Sequence, residues 1–253
     1  MTSRSDDDPE VPAIDSSVDT IADTIADTAV DTAVHPGPFA QAPLAAAPAD
    51  LLAAASGHVA RKRPKPGERR LQILQTLAAM LEQPGAERIT TAALAARLDV
   101  SEAALYRHFA SKAQMFEGLI DFIEQSVFTL VNQIGEREPA GPLQVHKMLT
   151  VLLQFGERNP GMTRVMVGDA LVFENDRLLA RMNQFFDRIE SQLRQCLRQL
   201  AEAGGSATPT IDANALASVL TSFAVGRLQR YARSGFKRSP TEHLDAALHL
   251  LVG

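Results

Sequence analysis

The chain has 253 residues, 45% of them hydrophobic and 22% charged, an ordinary globular composition with room for one or two domains. One cysteine, Cys196, excludes a disulfide framework and argues against a cysteine zinc site. No apolar run approaches the ~18 residues that cross a bilayer, and the acidic start MTSRSDDDPE lacks an h-region, so a cytoplasmic protein without a membrane partner is expected. The net charge of −5 is unevenly distributed. Residues 1–56 carry ten acidic side chains and one basic; residues 57–112 carry ten basic and five acidic; the rest is close to neutral. The low overall charge therefore says little about nucleic-acid binding.

Residues 1–60 are rich in Ala, Asp, Thr and Pro, and Asp19–Val34 repeats a tetrapeptide, DTIADTIADTAVDTAV. Asp19, Asp23, Asp27 and Asp31 fall at i,i+4 spacing, where like charges oppose a helix, and HPGPFAQAP follows as a breaker. A disordered extension is expected over residues 1–66, either a solvated tail or a segment that folds on a partner. Its end is basic: Arg61, Lys62, Arg63 and Lys65 run on to Arg69 and Arg70. That run suits a solubilising linker or an arm lying along phosphates.

From Glu68 onward the pattern is helical. Leu71, Leu74, Leu77, Ala78 and Leu81 predict a first helix over about 68–82, and PGAER ends it. A short helix follows over about 91–98, capped by Thr90 or Thr91. Asp99 and Val100 make a tight turn. Ser101 caps SEAALYRHF, with Glu102 in its first turn. Ser111 caps a long fourth helix to about Gly135, and Pro139, Gly141 and Pro142 separate it from further helices. No convincing period-2 strand is present, so the expected fold is all-α.

Two short capped helices across a tight turn describe a helix-turn-helix, within an expected DNA-binding domain at 67–113. On the second helix, Leu105 and Phe109 are one turn apart and face inward, while Ala103, Tyr106 and Arg107 project outward. Ala103 suits a thymine methyl, Arg107 a guanine edge or a phosphate, Tyr106 a phosphate oxygen. His108 is ambiguous between DNA contact and packing on the first helix. Lys112 opens the fourth helix, whose N-terminal N–H groups attract an anion. The expected DNA-facing set is Arg88, Thr90, Thr91, Ser101, Glu102, Ala103, Tyr106, Arg107, His108 and Lys112.

TTAALAARLDVSEAALYRHFASKAQMFEGLIDFIE, with its LYRHF-x-SK-x-x-MF run, resembles the N-terminal domain of the TetR family of regulators. LLQFGERNPGMTRVM, FENDRLLARMNQFFDRIESQLRQCLR and SGFKRSPTEHLDA resemble the nucleoid-occlusion branch of that family. The resemblance covers about Glu68 to Ala246 and leaves out the acidic extension. It implies a homodimer on palindromic double-stranded DNA, one or several dimers per site. It also implies antagonism of the tubulin-like division protein FtsZ while on DNA, at the nucleoid. The surface for the FtsZ tail would include Phe122, Val151, Arg158 and Asn159; Leu130 and Gln154 depart from the pattern, which carries arginine and glycine there. Read locally, Phe122 also fits a core position, and Arg158–Asn159 a helix C-cap with Asn in the left-handed region.

The remainder, 114–253, is expected to be a dimerisation and partner-binding body. Leu178, Met182, Phe185, Ile189, Leu193, Cys196 and Leu200 keep a 3–4 seam, and a second long helix over about 211–234 carries Leu216, Val219, Leu220, Phe223 and Leu228. Two such helices per protomer predict a four-helix dimer interface, with Cys196 an inert core thiol. Phe116, Phe122, Phe128, Phe155 and Phe173 either fill a core or line a ligand pocket, so a ligand-responsive repressor is the alternative function. The six histidines show no metal-ligand spacing, and there is no nucleophile elbow, phosphate loop or dinucleotide fingerprint. Neither catalysis nor a metal or cofactor is expected.

Overall fold

The computed structural model describes residues 68–83 and 88–252, all belonging to one compact unit, Ala45–Gly253. The acidic repeat, the basic arm at 61–66 and most of PGAER lie outside the described residues. Every element described is helical, in accord with the all-α expectation.

Four helices build the head. α1, Glu68–Leu81, buries Ile73, Leu74, Leu77, Ala78 and Leu81, the stripe that its 3–4 spacing predicts. α2, Thr91–Arg97, starts at Thr90, whose hydroxyl accepts from the Ala93 N–H at 3.1 Å; of the two candidate caps, Thr90 is the one used. α3, Glu102–Tyr106, is capped by Ser101, and α4, Lys112–Arg137, by Ser111, each accepting from an N–H three residues on. α4 runs two residues past the expected Gly135 before Glu138 turns extended at φ −106°, ψ 132°. Leu94, Leu105, Phe109 and Phe116 are each about 1% exposed and fill the head. Gly118 lets α1 close on α4, since a Cβ there would sit 3.0 Å from Leu74.

The body continues with α5 (Pro142–Arg158), α6 (Pro160–Met166), a 3-10 turn (Asp169–Leu171), α7 (Asp176–Ala203), α8 (Pro209–Arg233) and α9 (Leu244–Val252). Pro142, Pro160 and Pro209 each occupy a first helical position, where no N–H is needed and φ is already set. α7 and α8 form the most extensive helix pair. The α7 seam packs inside the chain. Leu178, Met182, Phe185, Ile189, Leu193 and Cys196 are buried within a single chain, at 3% exposure or less. Each large apolar side chain so buried contributes about 1.5–3 kcal/mol, and that surface is spent on α4 and α8 inside the protomer, while Leu200 at the end of the seam is half-buried. On the outer side of α8, Ile211 and Val219 are exposed, and Leu216, Phe223 and Val225 are half-buried.

The phenylalanines do not line one cavity. Phe116 and Phe128 are core, Phe128 edge-on to Phe185 at 5.3 Å; Phe122 pairs with Phe155; Phe173 is 65% exposed. Cys196 is buried with its sulfur 3.4 Å from the Gly141 N, and burial pushes the thiol pKa up, which keeps it protonated and unreactive. α7 is also tied along α4 by charge. Arg181 grips Glu124 through two N–H groups, at 3.1 and 2.7 Å, and Asp121 at 2.6 Å, while Arg177 meets Glu117 at 2.6 Å. The Glu124 hydrogen bonds chiefly, then Asp121, hold the Arg181 pKa above its ordinary value; such forked contacts fix orientation more than they add stability.

Head meets body where α6 abuts α1. A Cβ on Gly161 would lie 2.1 Å from the carbonyl oxygen of Ala78, so the two backbones touch there. Just beyond the end of α1, burial raises the Glu82 pKa above the ordinary glutamate value, partly offset by the nearby Gly161 backbone.

Candidate nucleic-acid and partner-binding interfaces

The second short helix of the head is placed as its sequence predicts. Leu105 and Phe109 point inward, while Ala103, Tyr106 and Arg107 are exposed, Tyr106 at 45%. Asp99 takes φ +54° in the turn between α2 and α3, a left-handed conformation that Asp tolerates better than most residues. It lets the chain reverse so that the Val100 N–H reaches the Ala95 carbonyl at 3.0 Å. The two helices are then pinned across their outer rim. Thr91 donates to the Glu102 carboxylate at 2.6 Å, and the Tyr106 hydroxyl lies 3.5 Å from the Thr91 oxygen. Thr90 and Ser101 thus hold backbone N–H groups, and Thr91 and Glu102 hold each other, beside Tyr106.

Three residues of the expected set have surroundings that their local sequence does not fix. His108 is exposed rather than packed on α1; only its carbonyl meets α1, accepting from Arg70 at 2.8 Å. That bond, with the Arg70 guanidinium 4.0 Å above the Phe109 ring, commits Arg70 to the fold and removes it from the phosphate arm. Lys112 is ion-paired with Glu174, whose side chain is only 9% exposed, and lies 5.7 Å from the Phe116 ring. Arg88 is exposed with its guanidinium 5.8 Å from the Phe173 ring. The connector between α6 and α7 therefore touches both outlying cations of the head. Sequence reading missed Glu174, since nothing local marks a carboxylate 62 residues away as a partner.

The expected partner residues gather at the junction of α4, α5 and α6. Phe122 is half-buried on α4, its ring 6.1 Å from that of Phe155. Val151, Phe155 and Arg158 follow at i, i+4 and i+7, one face of α5. Val151 is half-buried, and Arg158 is exposed and forms no ion pair among the described residues. Asn159 is the only residue between α5 and α6, at φ −131°, ψ 71°. The left-handed cap expected of it is not formed. Instead its side-chain amide donates to the Phe155 carbonyl at 2.8 Å, closing the helix end by a side-chain bond because the chain must turn straight into α6. Phe155 is the member of this patch that sequence reading had left between core and pocket. Leu130 and Gln154 are both half-buried, Gln154 on the wall of a surface cleft with Thr241 and His243.

A capped helix-turn-helix head on an all-helical body defines a TetR-type DNA-binding regulator. Residues 73–119 match the model of the bacterial regulatory proteins of the tetR family, and residues 142–253 match the SlmA-like, tetracyclin repressor-like C-terminal domain. The chain is 53% identical over 178 residues to the nucleoid occlusion factor SlmA of Idiomarina loihiensis, covering 70% of this chain and 90% of that protein. It is 53% identical over 188 residues to the SlmA of Photobacterium profundum, covering 74% and 95%. The chain belongs to the SlmA family of nucleoid occlusion factors. Among solved structures, the MbdR regulator from Azoarcus shares the fold at a TM-score of 0.61 and 17% identity, covering 72% of this chain and 96% of that one. The fatty acid degradation regulator FadR from Bacillus halodurans does so at 0.61 and 14%, covering 76% and 97%.

Proposed function

We propose that the protein is a sequence-specific DNA-binding nucleoid occlusion factor. Bound to palindromic duplex as a homodimer, singly or several to a site, it antagonises assembly of the FtsZ ring over the chromosome. The observation that carries this reading is the joint match of head and C-terminal body to one family, at about half identity over most of the chain. Residues 67–113 form the reading head and 114–253 the dimerisation and partner-binding body. The exposed Ile211 and Val219 on α8 supply its dimer face, an isologous contact that suits a two-fold site. The protein acts in the cytoplasm on the nucleoid, as a regulator rather than an enzyme. The filled positions of Phe116 and Phe128 favour this reading over a ligand-gated repressor.

On the head, Ala103 and Arg107 read base edges, with His108 beside them, while Arg88, Thr90, Thr91, Ser101, Glu102, Tyr106 and Lys112 set the register on phosphates or brace the groups that do. The deciding experiment is co-sedimentation with FtsZ polymers, with and without palindromic duplex. Duplex-stimulated disassembly is expected. Specific duplex binding with no effect on the polymers would leave an ordinary repressor.

Lys112 cannot hold Glu174 and a phosphate with full strength at once. Lys112→Ala should weaken binding to every duplex alike and lower the salt slope by about 0.9. Glu174→Gln should act in the opposite direction, tightening all duplexes a few-fold at low salt. Titrations against specific and random duplex at several salt concentrations read both effects, and a loss restricted to one sequence would refute the phosphate role.

A further inference from the structure

We propose that the Lys112–Glu174 ion pair is a latch through which DNA regulates the partner-binding corner: without duplex it holds the α6–α7 connector on the head, and a phosphate that takes Lys112 lets the connector go. The inference rests on the reading of Lys112 as a phosphate contact and of Arg158 and Asn159 as contacts for the FtsZ tail.

The latch joins the first residue of α4 to the residue just before Asn175, the cap of α7. The Glu174 side chain is 9% exposed, and Lys112 is its one cationic partner among the described residues. A carboxylate so covered is costly to leave unpaired. Lys112 therefore cannot turn to a phosphate while the connector stays in place, and Glu174 must move out to water. Beside it, the Phe173 ring lies 5.8 Å from the Arg88 guanidinium. Two consecutive connector residues thus hold two cations of the DNA-facing set, and a duplex draws on both. The connector is built to give way. Gly168 opens it at φ +85°. Past the buried Ala170 and Leu171, Val172 and Phe173 are 68% and 65% exposed, so little packing opposes a displacement of the stretch that carries Glu174.

α6 links the connector to the corner. It runs from Pro160 to Met166, about 10 Å, with Asn159 immediately before it and Gly168 two residues after. The head touches this stretch at both ends. Gly161 meets the Ala78 backbone, and Glu174 meets Lys112. The first contact is uncharged packing and is indifferent to phosphate; the second is an ion pair that phosphate competes for. With Gly161 as the pivot, release of the far end turns α6 and the Asn159 that precedes it. A tail that binds the released arrangement better shifts the protein toward it. The coupling is reciprocal, so the tail tightens duplex binding by the same factor.

The test uses the full-length protein and a peptide of the FtsZ C-terminal tail, followed by fluorescence anisotropy with and without palindromic duplex. In the unaltered protein, duplex should tighten peptide binding about tenfold. Glu174→Gln should bind peptide without duplex to within about twofold of the duplex-bound unaltered protein, and should gain less than twofold from duplex. Lys112→Ala, although it weakens duplex binding, should raise duplex-free peptide binding at least about threefold, which a plain phosphate contact would not do. Exchanging the charges, Lys112→Glu with Glu174→Lys, re-forms the pair and should return duplex-free peptide binding to the unaltered level. Full stimulation by duplex in Glu174→Gln overturns the latch, as does duplex-free binding that is unchanged or lower in both single variants. An unaltered protein that binds peptide equally with and without duplex removes the latch and leaves the FtsZ contact standing. If it binds no peptide in either state, the FtsZ reading falls and the latch with it.

Discussion

Gly161→Ala is expected to lower stability by about 3 kcal/mol, near the upper end of overpacking costs. The new methyl would meet the Ala78 carbonyl oxygen at 2.1 Å and the Leu81 Cβ at 3.3 Å. Backbone cannot rotate out of the way as a side chain can. Gly156 is the instructive contrast: its Cβ would approach Leu228 at 2.4 Å, but the obstacle is a terminal methyl that has other rotamers. Relief at Gly161 requires α6 to back away from α1, which separates head from body. With roughly 2–4 °C per kcal/mol for a folded part of this size, the melting temperature should fall by about 6–12 °C. Gly135→Ala supplies the control. It lies in α4 with only a Gln144 nitrogen at 3.8 Å, and replacing a helical glycine there should raise stability by about 0.5–1 kcal/mol. Thermal melts of the three proteins decide it; a Gly161→Ala variant that melts with the unaltered chain would show that the two helices have room to part.

The contrast between those glycines shows where the sequence was readable. Helix positions, caps and the inward set of the recognition helix follow from rules that act within four residues. Ser101, Ser111 and Thr90 announce their helices, and Leu105 and Phe109 declare their face by spacing alone. The seam of α7 was equally legible as apolar, yet periodicity states only that a face is buried, not against what. Leu178 to Cys196 turned out to face α4 and α8 of the same chain. Long-range polar pairing left no local trace. The Lys112–Glu174 pair and the Arg70 bond to the His108 carbonyl join residues 62 and 38 positions apart. Charge at Lys112 could be read, but whether water, phosphate or carboxylate met it depended on where the connector from α6 to α7 lay. Gly161 was the one available hint, since glycine next to proline in GERNPG marks either a turn or a close approach; here it is the second.

Arg158→Asp is expected to cut FtsZ-tail binding at least tenfold, a change of about 1.4 kcal/mol or more, while leaving duplex affinity within twofold. The arginine is exposed at the last position of α5, at the rim of the half-buried patch of Phe122, Val151 and Phe155. An extended tail laid on that patch would end its apolar contact beside a single guanidinium, which offers a fork of N–H donors to a carboxylate or carbonyl. Reversing the charge removes the donors and adds repulsion. It also sets a negative charge at a helix C-terminus, which costs roughly 0.3–1 kcal/mol of stability, so the variant needs a companion. Arg158→Gln is neutral at the helix end and still lacks the fork; it should lose most of the tail affinity with an unchanged melting temperature. Duplex titration, tail anisotropy and a melt on each variant separate the outcomes. Tail binding that survives both substitutions would place the FtsZ contact elsewhere on the body, and a parallel fall in duplex binding would mean that the corner had lost its fold rather than its charge.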